Sequence, residues 1–203
     1  MKIMITILLL AMGYLYGSVP FALVVGKVFY HMDIRTQGSG NLGGTNAGRV
    51  LGKKAGAAVI LLDATKCIIT ILIARSVAGC FNINADVIYP CAFACIVGHC
   101  YPIFAHFKGG KAVSSSIAYA LMTNIYGFVI GVVVFLVTLK ASKFVSLSSM
   151  LGSLAILIAS PFIGYSIVGI ITNLCIVLLI WFKHIPNIKR MKEGTESKIT
   201  WMK

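Results

Sequence analysis

Residues suited to chemistry form four short polar stretches between long apolar runs. The first, residues 37–49, carries glycines at 38, 40, 43, 44 and 48, interleaved with Ser39, Asn41, Thr45 and Asn46, and ends on Arg49. Gly38, Gly40 and Gly43 let backbone N–H groups turn inward and approach a ligand closely. Hydroxyl and amide side chains add donors, and the Arg49 guanidinium fork suits phosphate oxygens. No Gly-Lys-Ser/Thr closes the stretch and the dinucleotide fingerprint is absent. A flexible linker has no need of Asn, Thr and Arg at set places, so phosphate binding is the expectation. In the second stretch, residues 98–111, Gly109 and Gly110 precede Lys111 directly ahead of Ala112-Val-Ser-Ser-Ser. That order predicts a helix N-terminus behind a flexible pair, where free N–H groups and the dipole favour an anion. His106 reads as a packing or interfacial residue, whereas His99 fits packing and catalysis equally well.

The third stretch, residues 143–149, opens a short helix, and its Ser146, Ser148 and Ser149 can cap that helix or bind an anion. Capping accounts for one serine, not three. The fourth is the tail, with His184, Asn187 and Arg190 followed by Gly194-Thr195-Glu196. A basic tail beside a last span holds the anionic leaflet, a task that does not require Asn187.

Composition says what kind of scaffold positions these stretches. The chain has 203 residues, 59% hydrophobic and only 11% charged, with mean hydropathy +0.94. A soluble domain carries about 25% charged residues, so this chain belongs in a membrane. Nothing in it is polar enough for a separate soluble domain, and a single membrane domain over 1–203 is expected. Eighteen Lys and Arg against five Asp and Glu leave a net charge of +13. Nucleic-acid binding is the usual reading of that excess. Here the basic residues lie between apolar spans, which points to topology or an anionic membrane-bound substrate instead, and no nucleic-acid partner is expected. The six cysteines form no CxxC pair. Cys91, Cys95 and His99 would share a helix face, but zinc needs a fourth ligand, and no metal is expected.

Seven apolar segments stand out: 3–30, interrupted by Pro20 and Lys27, then 55–74, 87–105, 112–123, 126–139, 148–159 and 162–182. Three of them are short. The first lacks a small-residue cleavage site before a polar mature chain, so a removed signal peptide is not expected. Loops bearing Arg35, Arg49, Lys53 and Lys54, then Lys108 and Lys111, then Lys140 and Lys143, then Lys183, Lys189, Arg190, Lys192, Lys198 and Lys203 alternate with residues 76–86 and the turns near Asn124 and around Pro161, which carry no Lys or Arg. The positive-inside rule then predicts seven helices, the N-terminus outside and the C-terminus cytoplasmic. A five-span reading alternates less cleanly. Loops 31–54, 106–111, 140–149 and 183–203 all fall on the cytoplasmic side.

Asp63 and Lys66 lie three residues apart in the second span. Ionisable groups there default to a functional hypothesis, and a mutual ion pair that pins the 37–49 loop is the plainer alternative. Acids are otherwise scarce. A Ser-His-Asp triad has almost no carboxylate to draw on, no histidine has an Asp five positions on, and two-metal or paired-carboxylate chemistry is excluded. What remains is a basic, donor-rich site that holds phosphate and stabilises developing negative charge. A transporter of an anionic metabolite also uses interrupted helices, but these polar stretches cluster on one face.

Taken together, the stretches resemble the PlsY family, the acyl-phosphate:glycerol-3-phosphate acyltransferases of bacterial membranes. The resemblance runs over nearly the whole chain in family order: Gly17-Ser-Val-Pro-Phe21, Gly38-Ser-Gly-Asn-Leu-Gly-Gly-Thr-Asn46 with Arg49, Leu51-Gly-Lys-Lys-Ala-Gly56, Asp63 with Lys66, Gly98-His99, Phe107-Lys-Gly-Gly-Lys111, Ser146-Leu-Ser-Ser149, His184, Asn187-Ile188 and Gly194-Thr-Glu196. It implies an all-α, seven-helix protein of the bacterial inner membrane with its active site facing the cytosol. It also implies transfer of a fatty acyl group from acyl phosphate to glycerol 3-phosphate, giving lysophosphatidic acid and phosphate in phospholipid biosynthesis. No metal, acyl-CoA or other cofactor is required, and coupling to an acyl-phosphate-producing enzyme is the partnership implied. Ala112, Gly44 and Ile185 depart from the family pattern.

On that basis Ser39, Asn41, Thr45 and Asn46, with Gly38, Gly40 and Gly43, are expected to hold the acyl-phosphate head. Arg49, Gly109, Gly110, Lys111, Ser148, Ser149, His184 and Asn187 are expected to hold glycerol 3-phosphate. The general base is either a phosphate oxygen of the donor or His99.

Overall fold

The computed structural model describes residues 1–199, and Lys203 of the basic tail lies outside them. These residues form ten α-helices linked by turns and short 3-10 segments, and contain no strand. The helices are α1 (Lys2–Gly17), α2 (Phe21–Tyr30), α3 (Gly44–Val50), α4 (Lys53–Cys80), α5 (Ile88–Cys100), α6 (Val113–Thr123), α7 (Ile125–Ser142), α8 (Val145–Ala159), α9 (Ile167–Lys183) and α10 (Ile185–Lys192). Each of the seven apolar segments contains helix. Among the described residues, Lys2–Tyr30, Lys53–Cys80, Ala85–Ala105 and Ile125–Ser142 are long and apolar enough to cross a bilayer. A fifth candidate joins α9 and α10, which bend by 49° at their break, and α6 and α8 are shorter apolar helices.

The chain falls into two compact units, Met1–Tyr119 and the residues from Ala120 on. In the first, α1 packs on α5 and α4, and α4 also receives α2 and α3. Gly13 and Gly17, four apart on α1, lie against the Cys91 and Cys95 carbonyls of α5, and a Cβ at Gly13 would meet Cys91 O at 2.8 Å. This is the small-xxx-small approach by which membrane helices reach van der Waals contact. Gly48 and Gly56 bring α3 onto α4 in the same way, with a Cβ on Gly56 only 2.6 Å from Gly48 Cα.

The first apolar run does not continue as one helix. It breaks at Ser18–Pro20, because Pro20 has no N–H to carry the ladder onward. In the second unit α7 packs on α8 and α8 on α9. Asn124 begins α7: its Oδ1 accepts from Gly127 N at 3.0 Å and its Nδ2 donates to Ile163 O at 2.8 Å. The last apolar segment is shorter as a helix than its apolar run. Residues 161–164 turn, Gly164 takes φ +85°, and Ser166 caps α9 by accepting from Gly169 N.

Candidate active site

In the first unit the polar stretch after α2 begins with an ion pair. Asp33 accepts from Arg35 N at 3.0 Å and pairs with the Arg35 guanidinium at 2.6 Å. The Arg35 side chain holds the Asp33 carboxyl down at about 2. The chain then turns through Gly38 and Gly40, at φ +59° and +66°, a conformation glycine adopts without steric cost.

Asn46, on α3, closes this turn from behind. Its Oδ1 accepts from Ser39 N at 2.9 Å, and its Nδ2 donates to Gln37 O at 3.2 Å and to Ile34 O at 3.4 Å. Asn46 is buried, and a Cβ at Gly38 would strike it. The amide expected to hold phosphate therefore shapes the loop instead. Ser39, Thr45 and Arg49 are exposed. Thr45 and Arg49 are four apart on α3 and share a face.

Asn41 joins this loop to the second glycine stretch, donating from Nδ2 to Gly109 O at 3.2 Å. Gly109, Gly110 and the half-buried Lys111 lead into α6 at Val113, as the sequence predicts. This turn lies on the end of α5. Gly110 N donates to His99 O at 3.0 Å, and the space a Cβ on Gly110 would need is filled by the His99 ring at Nε2. The other ring nitrogen, Nδ1, is 3.4 Å from Asp63 Oδ1 and 3.3 Å from Lys66 Nζ. Both nitrogens of the buried His99 thus face protein.

The Asp63–Lys66 ion pair forms, at 2.9 Å with both side chains 1% exposed. It does not pin the 37–49 loop, as the plainer reading had it. Lys66 Nζ donates instead to Gly17 O at 3.0 Å and Val19 O at 2.9 Å, at the break between α1 and α2.

In the second unit none of the three serines at the start of α8 caps it. Phe144 is the N-cap, without a side-chain bond, and the serines lie inside the helix. Ser148 and Ser149 hydroxyls donate back to Phe144 O and Val145 O, both at 2.8 Å, a bond that residues four apart on a helix make readily. Ser146 instead donates to Glu196 Oε1 at 2.8 Å, and Asn187 Nδ2 donates to the same oxygen at 2.6 Å. Arg190 Nε meets Glu196 Oε2 at 2.7 Å. Burial pushes the Glu196 carboxyl up, but the bonds from Asn187, Ser146 and Arg190 outweigh it and hold the group below its ordinary value. His184 Nδ1 lies 2.8 Å from Ile180 O; a carbonyl can only accept, so that nitrogen carries the proton. Reading the residues alone left Glu196 without a role, although its rarity in a chain with five acids was a signal.

The family model for glycerol-3-phosphate acyltransferase matches residues 7–194. A glycerol-3-phosphate acyltransferase of Listeria monocytogenes is 48% identical over 199 residues, covering 97% of this chain and 98% of its own. Glycerol-3-phosphate acyltransferase 2 of Bacillus anthracis is 44% identical over 197 residues, covering 95% and 98%. Among solved structures, the glycerol 3-phosphate form of PlsY, an integral membrane glycerol 3-phosphate acyltransferase, superposes with TM-score 0.88 at 32% identity, covering 96% of each chain. Its lysophosphatidic acid form gives TM-score 0.86, covering 96% of this chain and 95% of that one. The glycine loops, the apolar helices and a match over nearly the full length agree: this multi-pass membrane protein belongs to the glycerol-3-phosphate acyltransferase family.

Proposed function

We propose that the chain transfers a fatty acyl group from acyl phosphate to the sn-1 hydroxyl of glycerol 3-phosphate, giving lysophosphatidic acid and inorganic phosphate. It works at the cytoplasmic face of a bacterial inner membrane, crossed seven times with the N-terminus outside. An acyl-phosphate-producing enzyme supplies the donor. The observation that carries this reading is the Asn41–Gly109 hydrogen bond, which brings two glycine-rich, basic turns side by side in the first unit.

The Gly38–Gly43 loop, with Ser39 and Thr45, holds the acyl-phosphate head. Arg49 and Lys111 hold the phosphate of the acceptor and aim its hydroxyl. The hydroxyl oxygen attacks the acyl carbonyl carbon, the bond from that carbon to the bridging phosphate oxygen breaks, and phosphate leaves with the electron pair. The hydroxyl proton passes to a phosphate oxygen of the donor. His99 is a poor candidate for that base because its nitrogens face Gly110 on one side and Asp63 with Lys66 on the other. Backbone N–H groups of the loop stabilise the carbonyl oxyanion. Acyl phosphate is already activated, so positioning supplies much of the acceleration.

The test is phosphate release by the purified, detergent-solubilised protein given palmitoyl phosphate with and without glycerol 3-phosphate. Acceptor-dependent release with lysophosphatidic acid formed is the expected result. Release that ignores the acceptor, or none in active detergent and lipid conditions, overturns the reading. Loss of turnover in His99→Gln with both substrates still bound would return the proton to His99.

A further inference from the structure

We propose that Lys66 is a positioning residue for the 109–111 turn, acting through Asp63 and the His99 ring that Asp63 orients. The inference rests on the functional reading above, in which that turn binds the acceptor's phosphate.

The turn is not held by its own conformational preferences. Within seven residues, His106, Phe107 and Ala112 take φ of +53°, +59° and +69°. Side-chain-bearing residues rarely adopt the left-handed region, and a bulky residue there is an outlier. Such conformations persist only where the surroundings over-determine them, and they gather at functional sites. The constraint therefore has to come from outside the turn, and the packing shows where. Beneath Gly110 lies the His99 ring, and behind the ring lies Lys66.

Lys66 fits that task by its hydrogen-bond count. An ammonium has three protons and no acceptor. Its three shortest partners are Val19 O at 2.9 Å, Asp63 Oδ1 at 2.9 Å and Gly17 O at 3.0 Å. These use all three protons and fix Nζ among α1, the α1–α2 break and its own helix. His99 Nδ1, the fourth neighbour at 3.3 Å, then carries its own proton and points it at Asp63 Oδ1, 3.4 Å away. The ring plane is set from that side, and Nε2 faces Gly110. Of these carbonyls, Gly17 O is one that the end of α1 leaves orphaned, while Val19 O also accepts from Phe21 N at 3.1 Å. One buried cation thus allows the first apolar run to break and fixes the ring that backs the phosphate turn. A pair retained only for charge balance would need none of these contacts to α1.

The decisive protein is the charge-balanced variant Asp63→Asn with Lys66→Met, which buries no unpaired charge and stays informative where Lys66→Met alone does not fold. Two readouts are taken on the full chain. One is the kinetics with palmitoyl phosphate and glycerol 3-phosphate, and the other is hydrogen exchange of the 106–112 segment. The expected result is a KM for glycerol 3-phosphate raised about tenfold, kcat and the KM for palmitoyl phosphate within about threefold, and faster exchange at Gly110. The proposal stands only if both readouts move. A wild-type KM, or unchanged exchange, overturns it and reduces Lys66 to a counter-ion. A Lys111→Ala control separates the premises: if that substitution leaves the KM for glycerol 3-phosphate unchanged, the assignment of the turn has failed, whatever Lys66 does.

Discussion

Each unit holds a polar cluster built around an acid, Asp63 in the first and Glu196 in the second, and the two clusters differ in kind. Asp63 sits mid-helix, 1% exposed, and its partners Lys66 and His99 reach α1 and the turn ahead of α6. Glu196 comes from the turn after α10 and ties Ser146, Asn187 and Arg190 together. In the first case a charge buried among apolar helices is tolerated because its cation is tied to fixed backbone carbonyls. In the second the Glu196 side chain, 6% exposed, clamps the tail through buried Ser146 and Asn187 and through Arg190, which is 37% exposed. The first arrangement is rigid and exacting about its neighbours. The second is a local clasp.

Substitutions can break that contrast in order of expected effect. The largest falls where the Asp63 cluster meets the turn. Gly110→Ala places a methyl where the His99 ring lies and should lower kcat/KM about 100-fold, as a misplacement of about 1 Å does. Steady-state kinetics would show it, and near-normal activity would mean that the ring can yield.

Next is Lys66→Met alone. It leaves Asp63 as an uncompensated buried charge and should destabilise the detergent-solubilised protein by about 3–5 kcal/mol. Unfolding measurements should place it well below the charge-balanced double variant.

Glu196→Gln tests the clasp. It should cost about 1.5 kcal/mol, within the range for hydrogen bonds to a charged group. Because the folded state holds the Glu196 carboxyl below its ordinary value of 4.5, its contribution is complete above that pH and is lost as pH falls through the folded value. Stability of the wild type should therefore fall more steeply with acid than that of Glu196→Gln. Parallel profiles would remove Glu196 from the account.

The smallest change is Ala112→Gly. Relief of the left-handed alanine should stabilise by about 1 kcal/mol at most, since the added glycine entropy of the unfolded chain opposes it. A destabilised variant would mean that the alanine methyl packs better than its backbone suffers.

The apolar segments were legible because composition and length alone define them; all seven contain helix, but the first is split into α1 and α2 and the last is helical only from Ile167. The short α3 was not, since three of the residues just before and within it, Gly43, Gly44 and Gly48, disfavour a helix when isolated. Packing of Gly48 against Gly56 on α4 supplies what propensity lacks. The donor-rich loop was legible as a set, but the division of labour within it was not. Thr45 and Asn46 are neighbours in sequence, yet one faces outward and the other is spent on Ser39 N and Gln37 O. The serines of α8 looked like caps because three hydroxyls near a helix start suggest one, whereas the N-cap is Phe144, two residues before the first of them. The Asp63–Lys66 pair was visible from its spacing. Its partners were not, because the break at Gly17–Val19 is nearly fifty residues away in sequence.

The central claim is that the two glycine stretches of the first unit form one phosphate-handling site through Asn41. A double-mutant cycle on kcat/KM, with Asn41→Ala, Lys111→Ala and the pair, tests it most directly. If Asn41 acts by holding the turn that carries Lys111, the double variant should lie within about threefold of the worse single variant, because the second loss removes nothing further. Losses that multiply would mean that the two residues act independently and would contradict the account.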